Sequence, residues 1–329
     1  MSDAQFGLEL RSLVTAGGEL QLSLLRAPVG EPADNEVVVQ VQATPINPSD
    51  LGLLLGAADF SEAKAVGEGA SAVVTAPVPP SGMRAMTGRI GQSMPVGNEG
   101  AGLVVKAGSS PEAQALLGRT VALLGGAMYA QYRKARASDC LLLPEGASAR
   151  DGASSFINPL TALAMVETMR AEGHTALVHT AAASNLGQML NKICLADGVP
   201  LVNIVRSPEQ AQILREIGAV HICDSSAPGF MGDLVEKLTT TGATMAFDAI
   251  GGGKLASQIL AGMEAAAVAK ATSYSRYGST VFKQVYVLWR PGHPADRAEP
   301  QLRHVVGHGR LAADLFLAEG GPGDIGADA

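Results

Sequence analysis

Apolar residues along this chain follow two rhythms. Up to about residue 150 they come in short β-branched runs, such as EVVVQVQAT and GLVVKAG, each cut off by Gly, Pro or Asn. Runs of that kind predict strands joined by turns, so residues 1–150 are expected to form a mainly β domain. Between Gly56 and Pro95 the rhythm weakens into Ala, Gly, Ser and Pro, which predicts a long surface excursion or substrate-side loop. At Asp151 the texture changes to DGASSFINPLTALAMVETMRAEG, apolar at helical spacing and closed by Gly173. TALVHT, PLVNIVR, VHICD and ATMAFDAIG then read as strands. The segments SNLGQMLNKICLADG, SPEQAQILREIGA, GFMGDLVEKLTTTG and GKLASQILAGME, which alternate with them, read as helices. Strands alternating with helices predict an α/β fold over residues 151–287, a doubly wound parallel sheet of Rossmann type. Residues 288–329 break this pattern with an Arg-, Pro- and His-rich tail.

Composition narrows the function classes. No apolar run is long enough to cross a bilayer, and the start MSDAQFGLELRSL lacks the basic and apolar segments of a secretory signal, so a cytoplasmic protein is expected. The net charge is −7, with no basic run to follow a phosphate backbone, which argues against nucleic acid as a partner. Cys140, Cys194 and Cys223 are widely spaced and form no CxxC pair. They are expected to be small apolar residues, without a disulfide or a zinc lobe.

The sharpest local signal is the passage from the strand TALVHT into Ala181–Gly187. A dinucleotide site needs small residues here so that a pyrophosphate can reach the backbone and the N–H groups of the next helix. Ala182, Ser184 and Gly187 hold the three positions usually written GxGxxG, with Ala183, Asn185 and Leu186 between them. Any strand-to-helix turn favours small residues; the position at the first turn of the alternating unit gives this one its weight. The next strand ends in Arg206 and Ser207, whose guanidinium and hydroxyl suit the adenosine 2′-phosphate of NADP(H); a solvated arginine at a helix start is the plainer alternative. Asp248, Ala249 and Gly251 end a later strand, where such sheets hold the nicotinamide half. A plain glycine-rich turn fits them equally. His179, inside the first strand, is expected to be a core or supporting group and receives no catalytic role.

The order of a β-rich domain, INPLTALAM, HTAAASNLG and a strand ending DAIGG resembles the medium-chain dehydrogenase/reductase superfamily over residues 7 to 287. HTAAASNLGQML and YSRYGSTVFKQVYV are similar to a bacterial group described as NADPH:quinone oxidoreductases. The resemblance implies a GroES-like catalytic domain, a Rossmann domain for NADP(H), a small-molecule acceptor such as a quinone or enone, and homodimers in intact relatives. Zinc-dependent relatives carry CHTD-like and GHE motifs. Here those places read Asn47-Pro48-Ser49-Asp50 and Gly97-Asn98-Glu99, so amides replace the Cys and His ligands and no metal is expected. Without a metal, hydride transfer needs alignment and a hydrogen-bond donor where charge develops. By their match to family motifs, Asn47, Thr161 and Tyr129 are the candidate catalytic residues. Each has an ordinary alternative: turn former before Pro48, helix residue, packing group. Two other functions stay open: an NADPH-binding protein with a structural or sensing role, and an alcohol dehydrogenase-like enzyme.

The resemblance stops at Val287. Members of the quinone-reductase group continue after KQVYV with a tract like YGGLDTxPTELNRNFGMSWGxGGWLL. Back-translating Leu288 to His293 as CTA TGG CGG CCT GGA CAC and removing the first C yields TAT GGC GGC CTG GAC, which reads YGGLD. The same shift is compatible with the group's tract through Leu315. The tail 288–329 is therefore expected to be a frameshift product; a divergent natural tail is the alternative.

Overall fold

The computed structural model describes residues 5–251 and 253–288. The tail beyond 288, on which the frameshift reading falls, lies outside the described residues except for Leu288 itself. The chain divides into two compact units, Met1–Ile157 and Asn158–Ala329.

The first unit is built from strands, as its β-branched runs require. In order it carries β1 (Phe6–Val14), β2 (Glu19–Pro28), β3 (Glu36–Ala43), α1 (Pro48–Leu54), β4 (Lys64–Val66), β5 (Val73–Pro77), α2 (Pro80–Ala85) and β6 (Ser93–Pro95). Then come β7 (Glu99–Ala107), α3 (Pro111–Leu116), β8 (Thr120–Leu124), β9 (Tyr132–Arg136), β10 (Cys140–Leu142) and α4 (Ala149–Gly152). Among the described residues they form sheets ordered β4-β5-β2-β1-β6 and β10-β8-β7-β3-β9. Alternate residues of β3, β7 and β8 turn inward as Val37, Val39, Val104, Val121 and Leu123 around Met128. The stretch Gly56–Pro95 is more ordered than its sequence implies. β5 pairs with β2 and β6 with β1, and Val78, Met83, Met86 and Ile90 close a core over Val14 and Leu20. The apolar residues of this stretch follow no single period because one short α-helix, three 3₁₀ turns and three short strands divide it among them.

The second unit keeps the predicted alternation: α5 (Ile157–Ala171, beginning on the last residue of the first unit), β11 (Leu177–His179), α6 (Asn185–Asp197), β12 (Leu201–Val205) and α7 (Pro208–Glu216). It continues through β13 (His221–Asp224), α8 (Phe230–Thr241), β14 (Met245–Asp248), α9 (Leu255–Ala269) and β15 (Gln284–Val287). All pairings are parallel, in the order β13-β12-β11-β14-β15. β11, β12 and β14 are buried on both faces, as a parallel sheet covered by helices requires. Val178, Val202 and Ile204 pack with α8 and α9, while Leu177, Leu201, Met245 and Phe247 meet α5 and α6. The chain passes from β11 through β12 to β13 on one side, then returns to β14 on the other. The carboxyl ends of β11 and β14 thus form the topological switch point where such sheets bind ligands.

Candidate functional site

At that switch point β11 runs through Thr180 and Ala181 into α6. Ala181 has φ +51°, a left-handed conformation uncommon for alanine. Ala182 is fully buried, and its N–H donates to Ile204 O at 3.2 Å, tying the turn to β12. Ser184 caps α6, its hydroxyl accepting from Gly187 N at 3.2 Å; it and Asn185 are exposed at the helix start. Gly187 packs against the turn so closely that a Cβ would stand 2.2 Å from Ala182 O. Ala183 O accepts Gln188 Nε2 at 2.9 Å, and Leu186 is half-buried. The small residues of 182–187 therefore join a tight turn to an open helix N-terminus, the arrangement that suits a pyrophosphate.

A buried network ties this turn to β14. Thr180 Oγ1 donates to Asp248 Oδ1 at 2.7 Å and accepts Ala249 N at 2.8 Å, while Ile250 N donates to the same Asp248 oxygen at 3.0 Å. Asp248 is 1 % exposed, so its carboxylate shapes the 248–251 turn. Gly251 sits against the end of β15; Gly252 lies outside the described residues. Sequence reasoning assigned no role to Thr180, although it lies within the HTAAASNLG tract. His179 is fully buried, its Nδ1 3.2 Å from Phe247 O and its Nε2 without a hydrogen-bond partner. Burial holds its pKa down at about 4, so it is neutral at pH 7.

Arg206 is exposed at the end of β12, its backbone N–H donating to Gln210 Oε1 at 3.1 Å. Ser207 caps α7 and accepts Gln210 N at 3.4 Å. Its hydroxyl also serves Glu209, whose carboxyl it holds below the usual range. Glu209 is a second missed residue: an anion in the same helix turn as Arg206 and Ser207.

In the first unit Asn47, Tyr129, Asn98 and two buried carboxylates come together. Asn47 and Asp50 form a capping box at the start of α1, in which Asp50 Oδ2 accepts Asn47 N at 2.8 Å. Asp50 Oδ1 accepts Asn98 N at 2.9 Å. Glu99 Oε1 accepts Asn47 Nδ2 at 2.8 Å. The spacing Asn-x-x-Asp was the available signal for the Asp50 role. Tyr129 donates its hydroxyl to Pro45 O at 3.0 Å. Burial, reinforced by the charge of Asp50, raises its pKa well above the ordinary phenol range, so it keeps its proton. Thr161 lies half-buried on α5 in the second unit.

Among the described residues no group of three or more His, Cys, Asp or Glu is placed to hold a metal ion. No described helix is long and apolar enough to cross a membrane. Cys194 and Cys223 are buried, their thiols pushed up to about 12. Cys140 is half-buried and raised to about 11.

No family model matches the chain. It is 29% identical over 210 residues to the mitochondrial enoyl-[acyl-carrier-protein] reductase of Xenopus tropicalis, an alignment covering 61% of this chain and 51% of that protein. The chain thus spans about half the length of the curated relatives it matches. Among solved structures, a protein provisionally assigned as an NADPH:quinone reductase from Mesorhizobium loti superposes with TM-score 0.61 at 26% identity, covering 89% of this chain and 76% of that one. A mycobacterial protein solved with NADPH gives TM-score 0.59 at 16% identity over 92% of this chain and 82% of its own, a likeness of fold. With its β-rich first unit and doubly wound second unit, the chain has the fold of the medium-chain dehydrogenase/reductases, and its structural neighbours are their NADPH:quinone reductases and enoyl reductases.

Proposed function

We propose that this chain is an NADPH-dependent reductase acting on a quinone or another conjugated carbonyl or alkene without a bound metal. The Ala182–Gly187 turn at the switch point carries the reading. Its Gly187 contact and capped, exposed helix start fit a dinucleotide pyrophosphate. Ala182 to Gly187 would hold the pyrophosphate, Arg206 and Ser207 the 2′-phosphate, and the 248–251 turn the nicotinamide half. Bound there, the cofactor supplies a hydride.

The remaining work falls to the protein. Thr180 and Asp248 fix the backbone at the switch point. By the resemblance, Asn47 takes the place of a metal ligand of the zinc-dependent relatives, and Tyr129 falls in the loop that in the family returns to the cleft. Tyr129 remains protonated across the neutral range and so is a hydrogen-bond donor. Asn47 and Asn98 in place of Cys and His support catalysis without zinc.

The test is a cofactor-oxidation screen of the purified chain against quinones, enones and aldehydes, with NADPH and NADH in parallel and with chelator present. Acceptor-dependent oxidation of NADPH that chelator leaves intact is expected. Tight NADPH binding with no turnover on any acceptor would replace the enzyme by a binding protein, and stoichiometric zinc would overturn the metal-free mechanism.

A further inference from the structure

Glu99, the first residue of β7, is 1 % exposed. Oε1 accepts Asn47 Nδ2 at 2.8 Å, while Oε2 accepts the backbone N–H of Phe156 at 2.8 Å and of Ile157 at 3.0 Å. None of these donors is a sequence neighbour, so the contacts are not a local cap. The N–H groups at the start of α5 have no partner within their own helix, and an acceptor from a distant strand satisfies them. One buried carboxylate therefore holds two segments at once: the turn that opens α1, and the last residues of the first unit, after which the chain enters the second.

Asp50 does the complementary task. Its oxygens take the backbone N–H groups of Asn47 and Asn98, whereas Glu99 takes the side-chain amide of Asn47. The backbone place of Asn47 and the direction of its carboxamide are thus set by different residues.

We propose that Glu99 is a positioning residue, which orients the Asn47 carboxamide for the reaction and couples it rigidly to the start of α5. The catalytic part rests on the reductase reading; the coupling does not. In Glu99→Gln one acceptor oxygen becomes a donor, so the side chain can no longer accept from both the Asn47 amide and the helix N–H groups. Side-chain amide protons of Asn47 and backbone amides of Phe156 and Ile157 should then exchange with solvent about tenfold faster, read by NMR on the full chain. The kcat should fall about tenfold while KM for NADPH stays within about twofold. Adding Asn47→Asp to Glu99→Gln restores donor–acceptor matching, so protection at Phe156 and Ile157 should return without kcat. Asn47→Ser, which leaves Glu99 and its helix contacts in place, should lose kcat and keep that protection; it also serves if Glu99→Gln does not fold.

Unchanged exchange in Glu99→Gln, or lost protection at Phe156 and Ile157 in Asn47→Ser, would overturn the coupling. Full kcat in Glu99→Gln, in Asn47→Ser or in the double variant would overturn the catalytic role. If the parent chain turns over no acceptor, the reductase reading fails and the exchange measurements still decide the coupling.

Discussion

Gly187 and Ala181 show opposite sides of the same turn. At Gly187 a Cβ would lie 2.2 Å from a backbone oxygen, which no side-chain rotation relieves. Gly187→Ala should therefore cost about 1–3 kcal/mol of stability and weaken NADPH binding, read by urea unfolding and cofactor titration. Ala181 already carries left-handed strain, at φ +51°. Ala181→Gly would release about 1–2 kcal/mol of it but add about 0.5–1 kcal/mol of unfolded-state entropy. The two terms nearly cancel, and a net gain below about 1 kcal/mol is expected. His179 gives a pH signature. Its folded pKa lies below the unfolded value, at about 4, so its contribution is present above about pH 6.5 and lost as pH falls toward 4. The loss is on the order of 3 kcal/mol at pH 4 relative to pH 7. A His179→Leu variant should show a flatter urea midpoint across that window than the parent; parallel curves would show that burial does not hold the imidazole neutral.

At the scale of elements, the segments between Thr175 and Glu264 were legible because short continuous apolar strands, three of them buried on both faces, alternate with helices set off by Gly and Ser. Their ends were less so. The helix read as ending at Glu264 runs to Ala269, and Glu264 has a different task from closing it. Its carboxylate accepts Ser279 N and Ser279 Oγ, each at 2.7 Å, and pairs with Lys283, which brings its pKa down to about 2. Gly278, at φ +83°, brings the loop within reach, since a Cβ there would meet Glu264 Oε1 at 2.6 Å. Nothing in the linear sequence links Glu264 to Ser279, which explains why this clamp was not anticipated. The same holds for Thr180 with Asp248 and for Glu99 with Phe156. Each joins elements that only the fold brings together. The Glu264 clamp has a depressed pKa, so it holds above the ordinary carboxylate range and loosens as pH falls from about 4.5 toward 2. Limited proteolysis at Arg276 should be slow at pH 7 in the parent and faster in Glu264→Gln at the same pH. Equal rates would mean that the clamp does not order this loop, on which Tyr274 and Tyr277 are exposed.

At the scale of the whole molecule, cofactor choice and the completeness of the sheet both have measurable consequences. On the proposed reading Arg206 would favour a 2′-phosphate, whereas the carboxylate of Glu209 nearby would oppose it. Arg206→Glu should weaken NADPH by about 1.5–3 kcal/mol and NADH little, while Glu209→Gln should strengthen NADPH alone, both by titration. Equal effects on the two cofactors would show that neither residue reads the phosphate. β15 pairs with β14, and Leu288 N donates to Asp248 O at 2.8 Å, so the ladder is intact up to the last described residue before the tail. On its other side β15 has no strand partner among the described residues. An open edge of this kind favours association with other chains. If the frame is shifted, the tract YGGLDTxPTELNRNFGMSWGxGGWLL, compatible through Leu315, is what the edge is missing, with four aromatic residues where the present tail has only Trp289 and Phe316. Resequencing the coding DNA across the Val287 codon should reveal one extra C. A chain carrying the restored tract should then unfold at higher urea, aggregate less and turn NADPH over faster than the present one. An unaltered reading frame, together with equal stability and activity of the two chains, would make this tail a working divergence and leave the resemblance ending at Val287 for another reason.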